Sequence, residues 1–267
     1  MPTDFIGSST TNSETNRDKV DLPGASSLLK LGTMNYVEAL ELQDRLVKAH
    51  YEGKVGDLLI LLEHPHTYTI GRGGKDAHIL FDEKLLARIG ASFHRVGRGG
   101  DITYHGPGQI VGYPIVDLRR WQPDVHKYLR SLEQVLIRTL RDFGISAVRD
   151  SHATGVWVGD EKVAAIGVRV SRWITSHGFA LNVNADLSYF SHIVPCGLVG
   201  KGVTSMDKLL GARVDPQLVA QQLVEHFSSE FRTHLVESSL ADIEQAIAEA
   251  GERSVTSSDA LMSPCQK

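Results

Sequence analysis

GVWVGDEKVAAIGVRV, residues 155–170, reads as two β-rich arms folded back on each other through Gly159-Asp160-Glu161. A hairpin pairs neighbouring strands antiparallel, whereas parallel strands need a long crossover. GFALNVN (178–184) follows as a further strand. Upstream, LLKLG (28–32), DLLILLEHP (57–65), SFHRV (92–96) and GQIVGYPIVDL (108–118) also read as strands. Within the last, Gly112 and Pro114 predict a bulge or an edge position.

Helices fall between and after these strands. Asn35 offers an N-cap with Glu38 three residues on, and Tyr36, Leu40 and Val47 mark an apolar side running to about His50. Leu85, Leu86 and Ile89 suggest a short helix closed by Gly90. The clearest helix follows Pro123 and Asp124. Val125, Leu129, Leu132, Leu136, Leu140 and Phe143 keep the 3.6-residue period, and Gly144 ends it. Asp215-Pro216 opens another, with Val219, Leu223, Phe227 and Phe231 on one side. A last helical stretch spans about 239–250 and is expected to end at Gly251. Strands and helices mix without regular βαβ alternation, so the fold class is α+β.

Composition narrows the function. With 42% hydrophobic and 22% charged residues the chain is typical of a globular domain. Its net charge of −4 supplies no broad basic field for nucleic acid, and no apolar run is long enough for a membrane span. Residues 1–26 carry Asp4, Glu14, Asp18 and Asp21 and lack the apolar core of a secretory signal, so they read as a disordered polar tail. Residues 27–251 form the expected single domain, and 252–267 a flexible C-terminal tail. Of two cysteines, Cys265 lies in that tail, which argues against a disulfide with Cys196 and for a reducing, cytoplasmic location.

Four stretches could carry chemistry. RVGRGGDITYHGPGQ (95–109) gathers five glycines with Arg98, Asp101, Tyr104 and His105. It is neither a Walker loop nor a dinucleotide fingerprint; it is a ligand-approaching loop or a tight turn around a core histidine. Lys162 enters an apolar strand. There, lost solvation disfavours the ammonium form and suits a base; the alternative is a solvated hairpin lysine. His177 and Gly178 precede an apolar strand. IVPCGLVGKGVT (193–204) places Cys196 in a glycine-rich loop, where a thiolate beside a base would attack a carbonyl carbon; the alternative is an incidental loop thiol. Twelve histidines raise the question of metal, but Pro65 separates His64 from His66 and Cys196 has no partner motif, so no metal is expected.

RGGDITYHGPGQIVGYPIVDL, the lysine of EKVAAIGVRV, HGFALNVN and PCGLVGKGVTSM occur in this order. Together they resemble the octanoyl-[acyl carrier protein]–protein transferases of lipoate biosynthesis, over roughly residues 28–235. The resemblance implies one domain of the biotin/lipoate protein ligase type, with a central mixed sheet flanked by helices. It implies an acyl-carrying Cys196 and a partner Lys162. It implies acyl-binding stretches at Arg98, Gly99, Gly100, Asp101, Ile102, Thr103, Tyr104 and His105, at Ala165, Ile166 and Gly167, and at Gly178, Phe179 and Ala180. The implied donor is octanoyl-acyl carrier protein. The implied acceptors are lipoyl domains of the glycine cleavage H protein and of 2-oxo acid dehydrogenase E2 subunits, with no cofactor and a monomeric enzyme. An ATP-dependent lipoate or biotin ligase, a non-catalytic binder of acyl carrier protein or lipoyl domains, and a cysteine–histidine hydrolase are the rival readings.

Overall fold

The computed structural model describes residues 26–151, 153–194 and 201–260. Strand β1 (Ser26–Thr33), helix α1 (Tyr36–Tyr51) and strand β2 (Leu58–Glu63) open the chain, with β1 and β2 parallel and α1 crossing between them. Then come β3 (Thr67–Ile70), α2 (Glu83–Ile89), β4 (Ser92–Arg95) and β5 (Ile102–His105). β6 (Gln109–Ile115), α3 (Leu118–Trp121), α4 (Val125–Asp142), β7 (Val148–Arg149), β8 (Val156–Val158), β9 (Glu161–Ser171) and β10 (Ile174–Asn182) follow. The chain closes with β11 (Gly202–Val203), α5 (Met206–Leu210), α6 (Pro216–Phe231), β12 (Leu235–Glu237) and α7 (Leu240–Ala260).

Among the described residues, a mixed sheet of nine strands runs β12-β1-β2-β6-β10-β9-β8-β7, with β11 added alongside β9. A smaller sheet, β4-β3-β5, sits apart from it. The apolar run of β2 shows why helices cover both faces of the large sheet. Leu59 and Leu61 join the core beneath α4 and α6, with Leu132, Leu136, Leu223 and Phe227. Leu58, Ile60 and Leu62 join the core beneath α1, with Leu42 and Leu46. Successive residues of a strand point to opposite faces, so a strand apolar at every position must be buried twice. α4 starts where Asp124 accepts from the N–H groups of His126 and Lys127, and the chain turns out of it at Gly144, φ +76°.

Several sequence expectations need correction. β6 is a central strand, buried throughout. Gly112 is there because the Phe179 ring fills its side-chain space: an added Cβ would lie 2.1 Å from a ring carbon. Pro114 is tolerated because the β6–β10 ladder covers only Gln109–Gly112. Past it, the Thr175 hydroxyl donates to the Pro114 carbonyl (2.8 Å) and accepts from the Val116 N–H (2.9 Å), so no strand partner asks for a proline N–H. ITYH is strand β5 rather than loop, paired with β3, which the sequence reading passed over. Asn35 makes no side-chain cap bond. β10 begins at Ile174, before the strand read at 178, and α7 continues past Gly251. No helix among the described residues is long and apolar enough to cross a membrane.

Where β10 parts from β6, His177 has φ +55°, and its N–H donates to the side-chain carbonyl of buried Gln43 on α1 at 2.7 Å. Gln43→Met keeps the volume but removes the acceptor. It should cost about 1–3 kcal/mol, read as a lower urea midpoint at unchanged m value; an unmoved midpoint would show that this bond does not hold the strand.

Candidate active site

β9 and β10 set small residues against small ones, Ala165 opposite Ala180 and Gly167 opposite Gly178. The segment from Arg98 to His105 faces this floor from the smaller sheet. Between them lies a cavity of about 750 Å³, counting its open mouth. Ala165, Ile166 and Gly167, Gly178, Phe179 and Ala180, Arg98, and the run from Gly100 to His105 all line it. Gly99 does not. Its N–H donates to the Val168 carbonyl (2.8 Å) and its carbonyl accepts from the Arg98 guanidinium (3.0 Å), so it pins the loop to β9.

Lys162 stands at one end of the floor and is only 6% exposed. A β-bulge puts it there. Val156 opposes Ala164 while its neighbour Trp157 opposes Lys162, which leaves Val163 as the extra residue. Val163 and Ala164 consequently both enter the α4-side core. The bulge reverses side-chain parity, and Lys162 joins Ala165 and Gly167 on the cavity side. Its Nζ lies 4.7 Å from the centre of the Trp157 ring. Lys201, ion-paired with Asp150, approaches the same ring at 4.6 Å. From Lys162 to Gly167 the floor extends about 16 Å at the usual rise per strand residue, long enough for an extended eight-carbon chain.

Cys196 lies outside the described residues. The nearest described residues before and after it are tied to the fold. Val194 donates its N–H to the His78 carbonyl at 2.9 Å. After it, β11 pairs parallel with the start of β9, with Val203 opposite Lys162. The Thr204 N–H then donates to the Lys162 carbonyl at 3.0 Å. The chain thus returns from the cysteine loop directly alongside the lysine.

The other end of the cavity is polar, and its charged side chains, Arg98 and Asp101, are both held by protein partners. The Arg98 guanidinium is itself satisfied by the Thr69 carbonyl (2.7 Å) and hydroxyl (2.8 Å). Burial, reinforced by Arg98 and Arg169, lowers the His177 pKa to about 4. Burial likewise holds His64 at about 4, and burial beside His64 and Arg98 keeps His105 well below the usual range. Tyr36 is pushed up to about 12 by burial, and burial also raises Tyr113. At neutral pH these groups are neutral. The His64 tautomer follows from its partners: Nδ1–H donates to the Met34 carbonyl at 2.7 Å, so Nε2 accepts from the Tyr113 hydroxyl at 2.7 Å. Asp101 pairs with His78 and caps its own neighbour, Ile102 N–H, at 2.7 Å. It therefore braces the loop.

Sequence reading missed Tyr36, Gln109, Tyr113, Asn182, Phe190 and Val203, all of which line the cavity. Tyr36 reads as an ordinary apolar position on α1, and Tyr113 as one on β6. Gln109, Tyr113, Asn182 and Val203 lie inside the quoted motifs, which is the signal that could have found them; the Gln109 amide donates to Asn182 Oδ1 at 2.8 Å and ties β6 to β10.

Comparison with known proteins agrees with this architecture. The model of the lipoyl protein ligase A/B catalytic domain matches residues 35–228. An octanoyltransferase of Solibacter usitatus is 53% identical over 204 residues, covering 76% of this chain and 92% of the relative. One of Flavobacterium johnsoniae is 45% identical, covering 78% and 97%. A lipoate-protein ligase A bound with ATP superposes with a TM-score of 0.65 at 17% identity, over 85% of this chain and 93% of that one. The bipartite lipoate protein ligase of Thermoplasma acidophilum gives 0.66 at 19%, over 85% and 91%. The two structures speak for the fold. With the family model and the sequence relatives, they lead to one conclusion: this chain belongs to the lipoyl protein ligase A/B catalytic domain family, on its octanoyltransferase branch.

Proposed function

We propose that this chain takes an octanoyl group from acyl carrier protein onto Cys196 and passes it to a lysine of a lipoyl domain, with Lys162 handling the protons. One observation carries the reading. The buried Lys162 ends a small-floored cavity, and its strand neighbour β11 follows Cys196 by six residues. The acceptors that fit are the lipoyl domains of the glycine cleavage H protein and of 2-oxo acid dehydrogenase E2 subunits.

In the first step the Cys196 thiol gives its proton to Lys162, and the thiolate attacks the donor thioester. A carbon–sulfur bond forms to Cys196. The bond to the carrier sulfur breaks, and that sulfur leaves with the proton Lys162 returns. In the second step the acceptor amine attacks the octanoyl-Cys196 thioester. A carbon–nitrogen bond replaces the carbon–sulfur bond, and the amine's proton passes through Lys162 to the freed sulfur. An acyl group already held as a thioester needs no activation by ATP.

The cavity supplies selectivity. Each buried methylene contributes about 0.8 kcal/mol. The residues from Arg98 to His105 and those of the β9–β10 floor are the ones that would contact the chain. His105, Tyr36, Tyr113 and His177 meet it as neutral groups, which keeps the desolvation cost of the bound complex low.

Mixing the enzyme with octanoyl-acyl carrier protein should add one octanoyl group to Cys196, seen by mass spectrometry under native conditions. Cys196→Ser should form no such thioester and should lose transfer. Intact transfer from free octanoate and ATP by Cys196→Ser would instead identify a ligase. Lys162→Arg should lower the transfer rate by about 10²–10⁴-fold, the usual worth of general acid–base catalysis, because guanidinium stays protonated; near-normal turnover would remove Lys162 from this role.

Stability should also depend on pH. The folded-state pKa of His64 and of His177 lies near 4, below the unfolded value of about 6.5. Between those values the unfolded chain binds more protons, so stability is fully present above about 6.5 and falls as pH drops toward 4. His177→Gln should flatten this fall in a urea titration; an unchanged slope would contradict the neutral, buried assignment.

A further inference from the structure

Glu133 is a carboxylate on α4 with no solvent exposure. A buried charge persists only where it is paired and hydrogen-bonded. Arg130 donates to it from Nη1 at 2.8 Å, and Arg149 approaches through Nε at 3.2 Å. The other carboxylate oxygen accepts the backbone N–H of Gly155 at 3.2 Å. This bond ties α4 to the residue that leads into β8.

Gly155 occupies a special place. Its φ is +131°, which side-chain-bearing residues rarely adopt. An added Cβ would lie 2.7 Å from the Ala164 carbonyl oxygen, and 3.3 and 3.4 Å from Cε and Cδ of Lys162. The missing side chain thus leaves open the space beside the lysine's aliphatic stem, which a methyl group would crowd. Trp157, two residues on, lies under Nζ.

We propose that Glu133 and Gly155 are positioning residues for Lys162. The carboxylate fixes the Gly155 peptide, and the glycine keeps clear the space beside Cδ and Cε of the lysine, whose side chain lines the end of the cavity. This role rests on Lys162 being the proton-handling group proposed above. Neither Glu133 nor Gly155 needs to touch substrate. Their effect travels through the placement of one amine, and misplacing a catalytic group by about 1 Å can cost on the order of 10²-fold in rate.

A double-mutant cycle on the full chain, with octanoyl-acyl carrier protein as donor, separates this role from a general structural one. Gly155→Ala should lower the rate at saturating donor by about 10²-fold while leaving KM for the donor within a few-fold. Added to Lys162→Ala, the same change should leave the residual rate nearly unaltered, since the amine it positions is gone. Effects that multiply independently, or a change confined to KM, would overturn the proposal. Should Gly155→Ala fail to fold, Glu133→Ala and Glu133→Gln carry the same cycle. Glutamine keeps an acceptor for the Gly155 N–H and should retain more activity than alanine, with both losses vanishing in the Lys162→Ala background. Equal losses, or losses that persist there, would overturn it. If Lys162→Ala alone turned over normally, the reading of Lys162 itself would fall, a result distinct from either outcome of the cycle.

Discussion

The bulge at Val163 decides which side of the sheet Lys162 serves. Strand alternation continued unbroken from Ile166 and Ala164 would carry Lys162 into the core beneath α4, where an ammonium has no business. The extra residue lets Val163 and Ala164 both enter that core and sends Lys162 to the opposite face. The rest of the candidate site is arranged around that choice. Ala165, Gly167, Gly178 and Ala180 leave the neighbouring floor bare, and β11 docks against the bulged end. A bulge beside a reactive side chain is a common way to re-aim it.

The surroundings of this floor reconcile two demands. The acyl chain proposed to bind here needs an apolar bed, yet the wall carries histidines, tyrosines and an arginine. Burial resolves the conflict by keeping the imidazoles unprotonated and the phenols intact. The arginine spends its donors on Thr69 and Gly99. Arg98, His64 and Gln109 hydrogen-bond to Thr69, Tyr113 and Asn182 and so tie the wall together.

Much of this was legible in the chain. The 3.6-residue periods of α4 and α6 named residues that are buried in the core, among them Leu132, Leu136, Leu140, Val219, Leu223 and Phe227. The stretches that the family resemblance marks, Arg98–His105, 165–167 and 178–180, come together: all but Gly99 line one cavity. What stayed hidden has physical causes. The smaller sheet was missed because β3 and β5 are four residues each, too short for period to register, and are mixed with polar residues. β6 was misplaced because proline and glycine usually mark edges; here Thr175 and the Phe179 ring take over the roles that strand partner and side chain would play. The bulge left no trace in EKVAAIG, so the side on which Lys162 emerges could not be read. Nor could Glu133, one polar letter on a well-formed helix, be tied to a lysine that lies 29 residues later.

A crystal structure of the octanoyl-Cys196 enzyme tests the central claim most directly. The account predicts the eight-carbon chain lying along the Ala165–Ala180 and Gly167–Gly178 floor, its thioester within hydrogen-bond reach of Lys162 Nζ, about 2.6–3.2 Å. A chain bound away from that floor, or a Cys196 sulfur facing a different surface from Lys162, would contradict it.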